Sequence, residues 1–155
     1  MKITLLTIGK RKQDFAAQAE KLFIQRLKKF CSFEIKSLKD LPSGKRSPEE
    51  QKKKEAVLLQ KEIPKNALLI CLDEYGKEHT AEEFSHKMEK WEQRSPEIIF
   101  LIGGHCGIDE KVLKKSQEKI ALGKMTLTQD LALIVLPESL FRAFCIQKNI
   151  PFHRA

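Results

Sequence analysis

The sequence predicts an α/β fold, with a mainly parallel five-stranded sheet and helices on both faces. Three observations carry that prediction. Ile98-Ile99-Phe100-Leu101-Ile102 is an unbroken apolar run, mostly β-branched or aromatic, as in a strand covered on both sides. Gly103-Gly104-His105-Cys106-Gly107 follows at its carboxyl end, where glycine permits positive φ and close backbone approach. Elsewhere short apolar runs alternate with stretches of helical periodicity, the pattern of strand–helix–strand units.

Residues 2–8 are apolar enough for a first strand, which Gly9 closes ahead of the basic loop Lys10-Arg11-Lys12. Phe15, Ala19, Leu22, Phe23, Leu27 and Phe30 then fall on one helical face. Residues 32–38 form a second strand. The loop at 39–47 contains Pro42-Ser43-Gly44-Lys45-Arg46 and lacks the glycines of a phosphate-binding P-loop, which excludes that motif.

Ser47-Pro48-Glu49-Glu50 is a helix start, with Ser47 as N-cap, Pro48 at the first helical position and Glu50 completing a capping box. Its apolar stripe through Ala56 to Leu59 is short, which predicts packing at an edge. Residues 66–72 form a third strand and 73–77 a loop. Thr80 and Glu83 make a second capping box, opening a helix whose inner face is Phe84, Met88 and Trp91.

After the strand at 97–102, Asp109 caps a helix over 109–118, with Ile108 and Leu113 spaced as a hydrophobic staple. Residues 119–122 form a short fifth strand and 123–128 a polar loop. Thr128 caps a long last helix over 129–149. Pro137 removes an amide donor inside it and predicts a kink.

Composition narrows the function classes. The chain of 155 residues is read as one domain, residues 1–155, large enough for a proper core. No segment approaches about 18 consecutive apolar residues, so no membrane partner is expected. The short apolar start followed by Lys10-Arg11-Lys12 reads as a strand rather than a leader. Cys31, Cys71, Cys106 and Cys145 show neither paired nor metal-ligand spacing, so reduced thiols, a cytoplasmic setting and no metal are expected.

Net charge is +8, and residues 1–65 hold 17 Lys and Arg against 8 Asp and Glu, whereas residues 66–155 hold 12 against 13. The excess of basic residues therefore belongs to the first part of the chain. Such segregation fits a phosphate-backbone footprint or a solvated lysine-rich surface, and charge alone does not choose. The glycine turn is similarly two-sided: it fits a ligand cradle at the carboxyl end of a strand, or a tight turn that needs glycine for backbone reasons.

Taken end to end, the chain resembles the RlmH family, small rRNA methyltransferases of the SPOUT class. The residues that carry the resemblance are Gly9, Gly44-Lys45-Arg46, Leu72-Asp73, Leu101-Ile102-Gly103-Gly104 with Gly107, Glu138-Ser139-Leu140-Phe141-Arg142-Ala143, and His153-Arg154. The resemblance implies a SPOUT-type trefoil knot, a fold feature that ordinary connection rules treat as exceptional. It also implies a homodimer, S-adenosyl-L-methionine as cofactor, and methylation of N3 of a pseudouridine in a 23S rRNA stem-loop of the ribosome. The cofactor contacts it implies are Leu72, Gly103, Gly104 and the loop Gly123-Lys124-Met125-Thr126-Leu127-Thr128.

Methyl transfer is an in-line displacement, so alignment of donor and acceptor is the protein's main task. The acceptor N3–H must lose or share its proton, and His153, an imidazole, is the best-matched side chain, as base or as positioner. Arg154 and Arg142 suit a phosphate or a uracil carbonyl, while Arg142 also has the spacing for an ion pair with Glu138. The chain departs from the family at His105-Cys106 in place of Pro-Glu, at Gln129 and Leu133 in place of His and Arg, at Phe152 in place of Tyr, and at Ala155 in place of an acidic residue. Two other readings remain: an RNA- or ribosome-binding module without turnover, and an α/β enzyme for another nucleotide. Against the latter, no ribose-binding acid follows the turn by about 20 residues.

Overall fold

Alternating burial sets the sheet. In β1 (Lys2–Ile8), Ile3 and Leu5 face one core cluster and Leu6 the other; in β4 (Glu97–Ile102), Ile98, Phe100 and Ile102 oppose Ile99 and Leu101. The computed structural model describes residues 1–9, 14–42 and 44–153. The basic loop Lys10-Arg11-Lys12, Ser43, Arg154 and Ala155 lie outside the described residues.

With β2 (Ser32–Leu38), β3 (Leu68–Lys77) and β5 (Glu118–Ile120), the strands take the order β2-β1-β4-β3-β5, every pair parallel. All five carboxyl ends therefore lie along one edge of the sheet. The expected five-stranded α/β architecture is the one observed.

Helices α1 (Asp14–Leu27), α3 (Ala81–Arg94) and α5 (Gln129–Gln147) cover one face and supply Phe23, Leu27, Phe84, Met88, Trp91, Leu136 and Leu140 to the larger core cluster. Both predicted capping boxes are present. Ser47 opens α2 (Pro48–Glu62) and Thr80 opens α3, each accepting from the amide three residues on while the glutamate there returns to the cap amide. Asp109 caps α4 (Glu110–Lys115), where Ile108 and Leu113 both pack on the smaller core cluster.

The structure differs from the sequence reading in four places. The helix after Asp109 stops at Lys115, and β5 begins at Glu118, so both elements are shorter or earlier than periodicity implies. β3 continues through residues 73–77, where turn-forming residues predict a loop. Pairing of Lys77 with Ile120, after a register shift from Leu72, keeps that stretch extended. α5 includes Pro137 as expected but ends at Gln147, two residues early. α2 does not sit at an edge: it lies on the second face of the sheet, with Ala56 and Leu59 packed among Leu6, Leu69, Ile99 and Leu101. Its stripe looked short because two of its inward positions are polar, Gln51 and Glu55, both buried.

β5 is fastened to α3 by a polar group. Glu118 accepts from Trp91 Nε1 at 2.9 Å and from Lys87 Nζ. Burial pushes its carboxyl upward, but the hydrogen bonds from Lys87 and Trp91 prevail and hold it below the usual carboxylate range. A depressed folded-state value contributes stability above the unfolded-state pKa and loses it as pH falls through the folded one. The wild-type denaturant midpoint should therefore drop on acidification below about pH 4.5, and Glu118→Gln should show a shallower drop, read by urea titrations at several pH values. Phe100 is fully buried between the helices of the larger cluster. Phe100→Ala should cost about 3–5 kcal/mol, measured from urea unfolding.

Candidate active site

Register decides what meets at the carboxyl edge. Leu72 of β3 pairs with Ile102 of β4 on one side and Ile120 of β5 on the other. Gly103 follows Ile102 directly, and the loop at 123–128 leaves the end of β5, so Leu72 stands between the glycine turn and that loop.

The turn itself is tight. Gly107 N–H donates to Gly104 C=O at 2.9 Å, and Gly107 has φ +84°. A Cβ at Gly103 would lie 2.7 Å from Ile108 Cγ1 and 2.8 Å from the Gly107 carbonyl carbon. At Gly104 it would lie 2.8 Å from Glu55 Oε2 and 3.0 Å from Ile8 Cγ2. Gly103 admits bare backbone only, because Gly107 main chain stands in the way, whereas a side chain at Gly104 would have to displace the Glu55 carboxylate. The side facing away from these contacts is left as main chain, partly exposed.

The second half of the 123–128 loop is held by two side-chain hydrogen bonds. Thr126 Oγ1 donates to Glu74 on the extended end of β3 at 2.9 Å, and Thr128 Oγ1 accepts from Leu131 N–H as the cap of α5. Just before them Met125 is 83% exposed at the surface. Lys124 is exposed and Gly123 and Leu127 are half-buried.

Gln129, the first residue of α5, closes the arrangement. Its Nε2 lies 2.9 Å from Ile8 O, 3.2 Å from Gly103 O and within reach of Thr7 Oγ1. One side-chain amide thus ties the ends of β1 and β4 to the start of α5. Sequence reading noted Gln129 only as a departure from a family histidine and assigned it no role.

Arg142 and His153 form a second cluster, built by the end of α5. Asn149 has φ +53°, Asn149 N–H donates to Ile146 O, and Ile150 N–H donates to Cys145 O. This is a Schellman motif, and it turns the tail back along the helix. Phe152 then packs edge-on to Phe141 with centroids 4.8 Å apart, under the Arg142 guanidinium.

Arg142 also pairs with Glu138, as its spacing implies. Its Nη1 lies 3.4 Å from His153 Nδ1, while His153 Nε2 lies 2.7 Å from Glu82 Oε1 on α3. A guanidinium only donates, so the contact with Arg142 is a hydrogen bond in the tautomer that has Nδ1 bare and its proton on Nε2, facing Glu82. The backbone amide of Glu82 itself and then His153 hold that carboxyl below its usual range. Arg142 borders a cavity of about 200 Å³ with His79, Thr80, Phe84, Leu122 and Ser139. Desolvation, helped by Lys87 and Lys77, holds His79 below the ordinary imidazole value. Arg154 falls outside the described residues.

The thiols play no visible part in these clusters. Cys31, Cys71 and Cys145 are buried and Cys106 is half-buried, all four free. Burial pushes Cys31 and Cys71 up to about 11. Among the described residues no cluster of three or more His, Cys, Asp or Glu has the arrangement to hold a metal ion.

A family model described as "Predicted SPOUT methyltransferase" matches residues 1–153. The chain belongs to the SPOUT methyltransferase family. Relatives of this SPOUT methyltransferase named "Ribosomal RNA large subunit methyltransferase H" include proteins of Parabacteroides distasonis, 36% identical over 155 residues, and Polynucleobacter asymbioticus, 34% identical over 154 residues. In both cases the alignment covers 99% of each chain. A relative of the same name from Clostridium perfringens is 34% identical over 159 residues, covering 99% of this chain and 100% of that one. Among solved structures, a probable methylase family protein from Haemophilus influenzae shares the fold with a TM-score of 0.56 and 14% identity, covering 99% of this chain and 70% of that one.

The lining of the carboxyl edge of this SPOUT methyltransferase is of a kind that suits a methyl-donor cofactor held through main-chain groups. Gly103 and Gly104 leave main-chain atoms partly exposed, and Leu72 and Leu127 are half-buried apolar side chains. Gln129→Ala should cost about 1–3 kcal/mol, because the carbonyls of Ile8 and Gly103 lose a buried partner. Thermal denaturation measures the loss, and hydrogen exchange should localise the loosening to residues 103–107.

Proposed function

We propose that this chain is an S-adenosyl-L-methionine-dependent methyltransferase that methylates N3 of a pseudouridine in a 23S rRNA stem-loop of the ribosome. The observation that carries the reading is the meeting of Leu72, the glycine turn and the 123–128 loop at one edge of the sheet in a chain of this family. Relatives similar over their whole length carry an rRNA methyltransferase name, which supports the substrate class.

Leu72, Gly103, Gly104 and the segment Gly123-Lys124-Met125-Thr126-Leu127-Thr128 hold the cofactor, chiefly through main-chain groups and apolar walls. When bound, that cofactor supplies a sulfonium-activated methyl group. The protein's own contribution is alignment and handling of the N3 proton. His153 takes or positions that proton, and Arg142 and Arg154 bind phosphate or the base carbonyl. Both ring nitrogens of His153 are engaged, one by Arg142 and one by Glu82, so one contact must open before the imidazole can serve as a base.

The remaining features of the reading follow the family. The chain is threaded as a trefoil knot. In support, β5 lies on the outer edge beyond β3 whereas α5 begins across β1 and β4, so the connection crosses the carboxyl ends of β3 and β4. The protein acts as a homodimer in one domain of residues 1–155, in the cytoplasm. Phe15, Leu22, Leu131 and Ile150, exposed on or beside the paired helices α1 and α5, supply apolar surface for a second copy. The basic residues of the first 65 positions face the RNA backbone.

Isothermal calorimetry should detect one S-adenosyl-L-methionine per chain, and methyl incorporation should require ribosomes that carry the pseudouridine. His153→Ala should lower kcat at least about 100-fold with little change in cofactor affinity. Cofactor binding without transfer to any ribosomal substrate would replace this reading with a binding module that lacks turnover.

A further inference from the structure

Among the described residues, Glu55 is the most deeply buried acid on the side of the sheet opposite α5. It is 2% exposed, in the middle of α2, and faces the glycine turn. Its Oε1 accepts from Gln51 Nε2 at 2.8 Å, and its Oε2 has no hydrogen-bond partner among the described residues. That unpartnered oxygen is the atom nearest to where a Cβ of Gly104 would stand. A buried carboxylate oxygen without a donor is unfavourable, and a neighbouring main-chain N–H is the group able to satisfy it.

The direction of the adjoining hydrogen bonds is fixed. Arg46 Nη1 donates to Pro42 O at 2.9 Å and to Gln51 Oε1 at 3.4 Å. A guanidinium has no acceptor, so Gln51 must present its oxygen to Arg46 and its NH₂ to Glu55. The chain of donors therefore runs from the 39–47 loop, through α2, to the back of the glycine turn.

We propose that Glu55 is a positioning residue for the glycine turn. Its free Oε2 receives a main-chain N–H of the Gly104–Cys106 segment in a closed form of the turn, which the free protein visits and the methyl donor favours, and Arg46 sets its orientation through Gln51. The inference rests on the cofactor site proposed above and adds a residue to it from the opposite face. It also couples the segment around Arg46 to the turn: a phosphate that draws Arg46 away from Gln51 frees the amide to rotate and alters the acceptor that the turn meets.

The test uses Glu55→Gln, nearly isosteric, on the full chain. With Arg46 holding the oxygen of Gln51, the amide at position 55 must present NH₂ to the turn, so the acceptor is lost. Calorimetry with S-adenosyl-L-methionine should show about tenfold weaker binding. In turnover, KM for the cofactor should rise by a similar factor while kcat changes little. Arg46→Ala should weaken binding about threefold, and adding it to Glu55→Gln should give no further loss. Leu59→Ala, a core truncation one turn further along α2, should lower stability without changing affinity, which separates positioning from general support.

Hydrogen exchange of residues 104–107 supplies a readout independent of activity. In the free protein these amides should exchange faster in Glu55→Gln than in the wild type, and cofactor should protect them less. Affinity for the cofactor within twofold of wild type in Glu55→Gln would overturn the proposal. If the wild-type chain binds no S-adenosyl-L-methionine, the cofactor reading falls. The role of Glu55 is then judged on the free protein, where equal exchange rates in the two forms would overturn it.

Discussion

Uniform strand direction is the constraint on which the remainder of the molecule rests. Because every pairing is parallel, each strand must be followed by a return across a face, and all carboxyl ends collect on one edge. The order β2-β1-β4-β3-β5 then places β3 between β4 and β5. Leu72 thereby acquires the glycine turn on one side and the 123–128 loop on the other, although these three segments are widely spaced along the chain. Altering the order of the last strands would separate them, whatever their individual sequences.

Two side chains from opposite layers act on the same turn. Gln129, at the start of α5, reaches the carbonyls of Ile8 and Gly103 from the face that carries α1 and α3. Glu55, in the middle of α2, approaches Gly104 from the other face. Neither needs to be polar for its helix to form. Gln129 is an amide because strand ends terminate in unpaired main-chain carbonyls, which apolar packing would leave unsatisfied, whereas Glu55 Oε2 has no donor among the described residues. The missing side chain at Gly104 makes room for Glu55 of α2, while the one at Gly103 makes room for Gly107 and Ile108 of the turn itself.

Local signals in the sequence were sufficient wherever the determining atoms are neighbours in the chain. The boxes at Ser47 and Thr80, the cap at Asp109, the cap at Thr128 and the run at 98–102 depend on residues three or four apart, or on a simple period. The extension of β3 through Gly76 was not legible, since Asp73-Glu74-Tyr75-Gly76 has turn chemistry and only pairing with Ile120 keeps it extended. α2 was misplaced because its inward stripe includes Gln51 and Glu55, which an apolar count skips. A buried acid at helical spacing from Ala56 and Leu59 was the available clue. The site divides the same way. Its glycines stood out, whereas Gln129 looked like an ordinary helix-start residue until coordinates brought Thr7, Ile8 and Gly103 to its amide.

The pairing of β1 with β4 has a consequence for how the chain is made. Lys2 to Thr7, synthesised first, pair on one side with Ser32 to Ser37 and on the other with Glu97 to Ile102. During translation the first βαβ unit can form early, but one flank of its inner strand stays open until well over half the polypeptide has emerged. Non-local closure of this kind is slow, and an exposed apolar strand edge invites mispairing in the interval. The dense lysines of the amino-terminal portion, whatever else they bind, give that unfinished intermediate a mutual repulsion that keeps nascent copies apart.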